Sequence, residues 1–234
     1  MYRKELNERS PLRVFENSIH GGLGRGNIGV VVARHGTGKT AFLVGVALDD
    51  VLRGKKVLHV ALNQTVDHIR AYYDEIFSDL ARSSGLENAA AERLEMERNR
   101  NIHTYSGKSF TVHKLRHAIS FLREYAHFAP SLVIVQGYDF EHASTADVKE
   151  LQELAAEFEV ELWMSATTHR DAPVDGKGIP EPVAHIAEAV AVVVRMAHDG
   201  KSSVHLTLLK DHDNPEVASL PIVLDPTTML LVKE

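Results

Sequence analysis

The sequence predicts an α/β fold: a mostly parallel central sheet flanked by helices, with a C-terminal extension of antiparallel strands. Three observations predict it. Short apolar runs of strand length alternate with segments whose apolar residues recur every three to four positions, the pattern of strands joined by crossover helices. The first such run passes directly into a glycine-rich turn and then a helix. From residue 189 to residue 232 the helical period is gone and short strands alternate with turn residues.

The elements follow in order. Residues 28–32 read as the first strand, and the helix after the glycine turn runs to about Leu52. A second strand spans 56–62. The next helix carries Val66, Ile69, Tyr72, Tyr73, Ile76, Phe77 and Leu80 on one face. Residues 87–100, crowded with charge and alanine, read as an exposed helix or an insert. A short strand near 102–105 leads to a helix with Val112, Leu115, Ile119, Leu122 and Ala126 on one side. Residues 132–136 form a buried strand. Ser144 and Asp147 have capping-box spacing ahead of the stripe Val148, Leu151, Leu154, Ala155 and Phe158. Another strand covers 160–165, with Trp163 in the core, and a Gly-, Pro- and Asp-rich loop covers 167–182.

The 234 residues suffice for one α/β domain with its core. Apolar residues make up 44% and charged residues 25%, a soluble profile without the roughly 18–20-residue apolar run of a membrane span. The opening residues are too polar for the apolar stretch of a signal peptide. Cysteine is absent, which excludes disulfides and thiolate chemistry and fits the cytoplasm. A net charge of −6 lacks the basic signature of a nucleic-acid binder, so nucleic acid is a possible partner but not the favoured one.

The chemistry concentrates in Ala33-Arg34-His35-Gly36-Thr37-Gly38-Lys39-Thr40-Ala41. Between a strand and a helix, this is the setting of a phosphate-binding loop. Gly36 and Gly38 let backbone N–H groups turn toward an anion, and the helix beginning near Lys39 aims its positive end there. Lys39 supplies an ammonium for the β/γ oxygens and the Thr40 hydroxyl a ligand for Mg²⁺. Ala33 stands where the first glycine is usual. A second pattern, Gly24-Arg-Gly26-Asn-Ile-Gly29, precedes a strand instead of following one, so it reads as a turn and not as a dinucleotide site.

Ile19-His-Gly-Gly-Leu-Gly-Arg-Gly26, a strand, and then Gly-Thr-Gly-Lys-Thr40 resemble the RecA-like ATPase core of KaiC and of DnaB-type replicative helicases. The likeness runs in order through residues 17–232. Residues 57–63 resemble the strand that ends in a catalytic Glu, and 132–136 resemble the Walker B strand. Met164-Ser-Ala-Thr-Thr-His-Arg170 resembles the strand end bearing a phosphate sensor. Lys210-Asp-His-Asp-Asn214 resembles the Lys-x-Arg finger that reaches a neighbouring subunit's nucleotide. The resemblance implies an N-terminal arm over residues 1–18, a RecA-like nucleotide-binding domain over 19–234, ATP and Mg²⁺ as cofactors, and a homo-oligomer. Leu12 and Phe15 would either strap onto a neighbour or pack on their own core.

The departures shape the functional expectation. Asn63 stands for the catalytic Glu, Gln136 for the Walker B Asp, Thr167 for the sensing Gln, and His212 for the finger Arg beside Lys210. An amide accepts no proton, and losing a general base costs roughly 10²–10⁴ in rate. A finger Arg is worth roughly 10³–10⁵. Asp139 or Asp67 would have to substitute, the former only if Gly137 folds its loop back. The leading expectation is an ATP-binding switch with weak or absent hydrolysis. The alternatives are an active ATPase acting on DNA and a small-molecule phosphotransferase, the latter requiring an arginine lid. Nothing in the sequence separates ATP from GTP. His113 and His117 have zinc-compatible spacing but no third ligand, and read as exposed polar positions.

Overall fold

The structure, a computed structural model, describes residues 1–198, 200, 203–214 and 216–234. Its centre is a sheet of strands β1 (Ile28–Ala33), β2 (Val57–Leu62), β3 (Arg100–Tyr105), β4 (Leu132–Gln136), β5 (Glu161–Thr167), β6 (Val192–His198), β7 (Val204–Asp211), β8 (Ser219–Leu224) and β9 (Leu231–Lys233), in the order β3-β2-β4-β5-β1-β6-β7-β8-β9. The first six in that order pair in parallel, and β7, β8 and β9 add antiparallel. This is the predicted class, C-terminal extension included.

Strand alternation divides the core into two layers, one on each face of the sheet. Val31, Ala61, Ile134 and Trp163 pack beneath the helices α3 (Lys39–Leu52) and α4 (Val66–Ser84). Val30, Val60, Val133 and Met164 pack beneath α6 (Val112–Tyr125) and α7 (Thr145–Glu157), whose stripes are the ones read from the sequence except for Ala126, which lies past the end of α6 and is exposed. Helix α3 is apolar on nearly every side because it is enclosed by the sheet and its neighbours. Thr65 caps α4, Gly85 ends it in a left-handed turn, and Ser144 and Asp147 form the expected capping box of α7. Close approach explains Gly29: a Cβ there would stand 2.7 Å from the Trp163 ring.

Residues 87–100 resolve into a helix, α5 (Ala89–Asn99), with Met96 buried and its remaining surface largely solvated. Strand β3 begins two residues earlier than predicted, at Arg100, and His113 and His117 are exposed as read. The first residues form two helices that the sequence pattern does not announce, α1 (Arg3–Arg9) and α2 (Pro11–Ser18). Of the two roles open to Leu12 and Phe15, the structure has them on their own core, where Phe15 meets Phe42 and Trp163 at ring distances of 5.7 and 5.8 Å. Arg13 and Asp49 pair across the same contact, and Asn7 donates to the Leu52 carbonyl at 2.9 Å.

Candidate nucleotide site

The cradle lies at the C-terminal end of β1, where the strand stops and α3 starts. Gly36 and Gly38 have φ of +77° and +102°, the left-handed region that glycine adopts without strain. Thr37 is buried, while Arg34, His35 and Gly36 face solvent. Lys39 folds back over the loop: its ammonium donates to the Ala33 and Arg34 carbonyls at 3.0 and 3.1 Å. Burial pulls its pKa down to about 8. A phosphate entering the loop would give this ammonium an anionic partner in place of two carbonyl dipoles.

A cleft of about 560 Å³ opens over the loop. Gln64, His68 and Tyr72 wall it from the start of α4, and Gln136 to Glu141 from the turn after β4. Ser165 and Thr167 form its floor, and Leu224, Pro226 and Met229 from the antiparallel extension close the far side. Leu224 seats directly on Gly38, where a Cβ would lie 2.3 Å from its Cδ2. The polar phosphate end thus continues into an apolar slot, the two-part lining of a small-molecule site.

Alternation carries His59, Gln136, Ser165 and Thr167 to the α3 face, toward the cradle. Gln136 is buried and donates from Nε2 to Thr40 Oγ1 at 2.7 Å. Its Oε1 lies 3.4 Å from His59 Nε2, and His59 Nδ1 lies 3.1 Å from the Tyr73 hydroxyl. Full burial pulls the His59 pKa down to about 4, so the ring is neutral. The network assigns its proton to Nε2, leaving Nδ1 to accept from Tyr73. This chain of groups behind Thr40 was missed in the sequence, where a His amid strand residues gave no signal.

Of the residues expected around the nucleotide, Arg34 and Asn63 do not line the cleft, and Lys210 and His212, expected to reach a neighbouring subunit, are engaged within their own chain. Strand parity would carry residue 63 to the α3 face, but Asn63 turns left-handed at φ +59° and leaves the cleft. Its Oδ1 instead accepts from the Gly107 N–H at 2.7 Å and its own N–H donates to the Tyr105 carbonyl at 2.8 Å. Lys210 is not a projecting finger: its ammonium donates to the Ala187 and Val190 carbonyls at 2.7 and 2.5 Å, capping the end of the short 3₁₀ helix Ala184–Ala189. Nor is His212, held between the Asp211 carboxylate at 2.8 Å and the Leu23 carbonyl at 3.0 Å. Buried Asp211 also binds His20 at 2.5 Å. Burial opposes its ionisation, but hydrogen bonds from His212, His20 and Asn214 outweigh that and hold its pKa below the usual range.

Of the substitute acids, Asp67 is almost fully exposed, pairs with Arg70 and does not line the cleft. Gly137, at φ +82°, folds the next turn back, and Asp139 and Glu141 both line the cleft. Asp139 accepts from His142 at 2.9 Å. Among the described residues no group of three His, Cys, Asp or Glu could hold a metal. The Thr40 hydroxyl suits one position of a Mg²⁺ whose other ligands are phosphate oxygens and waters, the donor set that ion prefers. Gln136 would reach such an ion only indirectly and without charge.

The strand order, with the glycine turn at the end of β1, gives a RecA-like α/β fold. No protein-family model and no curated protein matches the sequence. Among solved structures, the chain is similar to one described as an ATPase domain, with a TM-score of 0.71 and 14% identity over 94% of this chain and 88% of that one. At that identity the likeness shows the fold. No helix among the described residues is long and apolar enough to cross a membrane.

Proposed function

We propose that the chain binds a nucleoside triphosphate with Mg²⁺ over the Gly36–Thr40 backbone, hydrolyses it slowly or not at all, and uses occupancy of the cleft to set its contacts with partners or with further copies of itself. The observation that carries this reading is the Gln136 amide hydrogen-bonded to Thr40 at 2.7 Å. In this reading an uncharged donor stands where a carboxylate would otherwise order the metal's waters. Bound phosphates would replace the Ala33 and Arg34 carbonyls on Lys39, and Mg²⁺, when present, would offset phosphate charge. ATP is the nucleotide suggested by the resemblance and by the fold shared with a domain described as an ATPase.

Calorimetry with ATP and Mg²⁺, together with a turnover assay and light scattering on the same samples, tests this. Tight binding with little turnover supports the reading, and absence of binding defeats it. A second reading, an ATPase acting on DNA, draws on Asp139 and Glu141, two carboxylates that line the cleft. Brisk turnover stimulated by single-stranded DNA would favour it.

A further inference from the structure

On the other side of the phosphate loop lies a second groove of about 440 Å³. Three arginines from three different segments converge on it: Arg34 from the loop itself, Arg170 from the turn after β5, and Arg195 from β6. Arg195 stands on the α6 and α7 face of the sheet, opposite the cradle's own face, and is exposed there. No Asp or Glu lines the groove among the described residues. Among those residues none of the three guanidinium groups has an ion-pair partner there, in a chain whose acids outnumber its Lys and Arg by 32 to 26. His169, also on the rim, has Glu141 at 3.6 Å, and Arg170 also borders an adjoining cavity lined by Glu141, Asp171 and Glu181, none of them within ion-pair distance of its guanidinium.

Unpaired guanidiniums gathered in one concavity repel each other unless an anion joins them. Their planar forks match phosphate oxygens. The groove holds no Phe, Tyr or Trp among the described residues on which bases could stack, and its size suits a small molecule. We propose that this groove is a second anion site that takes a small phosphorylated ligand, a phosphate ester or polyphosphate, separate from the nucleotide of the cradle. His35, Gly36 and Thr37 border both cavities, so the two ligands would sit on opposite sides of one loop. The sequence did not reveal this cluster, because its members lie at positions 34, 170 and 195.

The test uses pyrophosphate as the probe and the Lys39→Ala chain as the host, so that the cradle contributes little and the result does not depend on nucleotide binding. Calorimetry should detect pyrophosphate binding to Lys39→Ala. Adding Arg170→Ala or Arg195→Ala should weaken it by roughly tenfold or more each, the scale of a charge-assisted hydrogen bond. Arg170→Lys, which keeps charge but loses the fork, should fall between. In the Lys39-intact background, the Arg170→Ala, Arg195→Ala pair should bind fluorescent nucleotide as wild type does, which also reports that it is folded. No pyrophosphate binding, or binding unchanged by both arginine substitutions, overturns the proposal. So does an oligonucleotide that binds through the same arginines more tightly than pyrophosphate.

Discussion

The Gln136 side chain donates a 2.7 Å hydrogen bond to the Thr40 hydroxyl, while its other end faces His59, a neutral ring buried in β2. The amide is therefore oriented by protein groups at both ends. Gln136→Asp would set a carboxylate next to Thr40 and give His59 Nε2–H a charged acceptor. Its expected effect is a steeper dependence of nucleotide affinity on Mg²⁺, with affinity in excess chelator equal to or below that of wild type because the new charge repels phosphate. Calorimetric titrations across a Mg²⁺ series check this, and parallel curves for the two proteins would count against it.

His59→Phe removes the donor to Gln136 and leaves the buried Tyr73 hydroxyl without its acceptor. An unsatisfied buried polar group costs about 1–3 kcal/mol. Thermal unfolding should fall accordingly, and the loss should be smaller in a His59→Phe, Tyr73→Phe double variant, which removes both polar partners. Equal destabilisation by the single and double variants would show that the pair is not coupled.

Lys39 links binding to pH. In the free protein burial holds its pKa near 8, below the ordinary value of 10.5. A bound phosphate favours the ammonium, so the bound pKa is higher. Affinity is thus full below pH 8 and declines as pH rises through 8 toward the bound value, with proton uptake on binding in that window. For the free protein the sign is opposite: the unfolded state holds the extra proton between pH 8 and 10.5, so this group makes stability rise with pH there. Calorimetry in two buffers of different ionisation enthalpy measures the uptake. Lys39→Ala should lose most affinity and show none.

Two glycines separate packing from function. Gly29→Ala would drive a methyl to 2.7 Å from the Trp163 ring, which is enclosed by Phe15 and Phe42 and has no room to move. Overpacking of this kind costs about 1–3 kcal/mol, readable as a lowered denaturation midpoint with nucleotide binding retained in the folded protein. Gly38→Ala would meet the buried tip of Leu224 at 2.3 Å, and at φ +102° its backbone is strained in any packing. It should lose nucleotide binding more than stability.

The fold was legible because its signals are local. The strands are short apolar runs, and the stripes of α6 and α7 repeat faithfully enough that the buried residues are the predicted ones. The cradle was legible for the same reason, being one contiguous motif. What escaped were contacts made by turning the chain out of its expected direction. Asn63 follows the strand's parity in sequence, yet a left-handed backbone rotates it onto Gly107. Lys210 has the look of a projecting cation, but it donates to two carbonyls at the end of the 3₁₀ helix. Leu224, Pro226 and Met229 reach the cleft only because the antiparallel extension returns over α3, which no local pattern announces.

Hydrolysis should not depend on residue 63. With Asn63 outside the cleft, the side chain at that position has no route to an attacking water. Asn63→Ala should therefore leave turnover per folded molecule unchanged, while loss of the bond to Gly107 N–H lowers stability by about 1 kcal/mol. Asn63→Glu should add no rate, since the left-handed backbone points any side chain there toward the 106–109 turn. Turnover of the wild type should lie well below the usual range of about 1–10³ per second. Whatever remains should depend on Asp139 or Glu141, the carboxylates that the Gly137 turn brings to the cleft. Asp139 is engaged by His142 at 2.9 Å, and a carboxylate so held is a weaker proton acceptor than a free one. Asp139→Asn and Glu141→Gln, measured separately and at saturating nucleotide, identify the contributor by a fall of roughly 10²–10⁴ expected for a general base. A gain of rate in Asn63→Glu would mean that residue 63 reaches the nucleotide after all, which requires the Asn63–Gly107 bond to open on binding. Hydrogen exchange at the Gly107 amide, with and without nucleotide, would then report that opening directly.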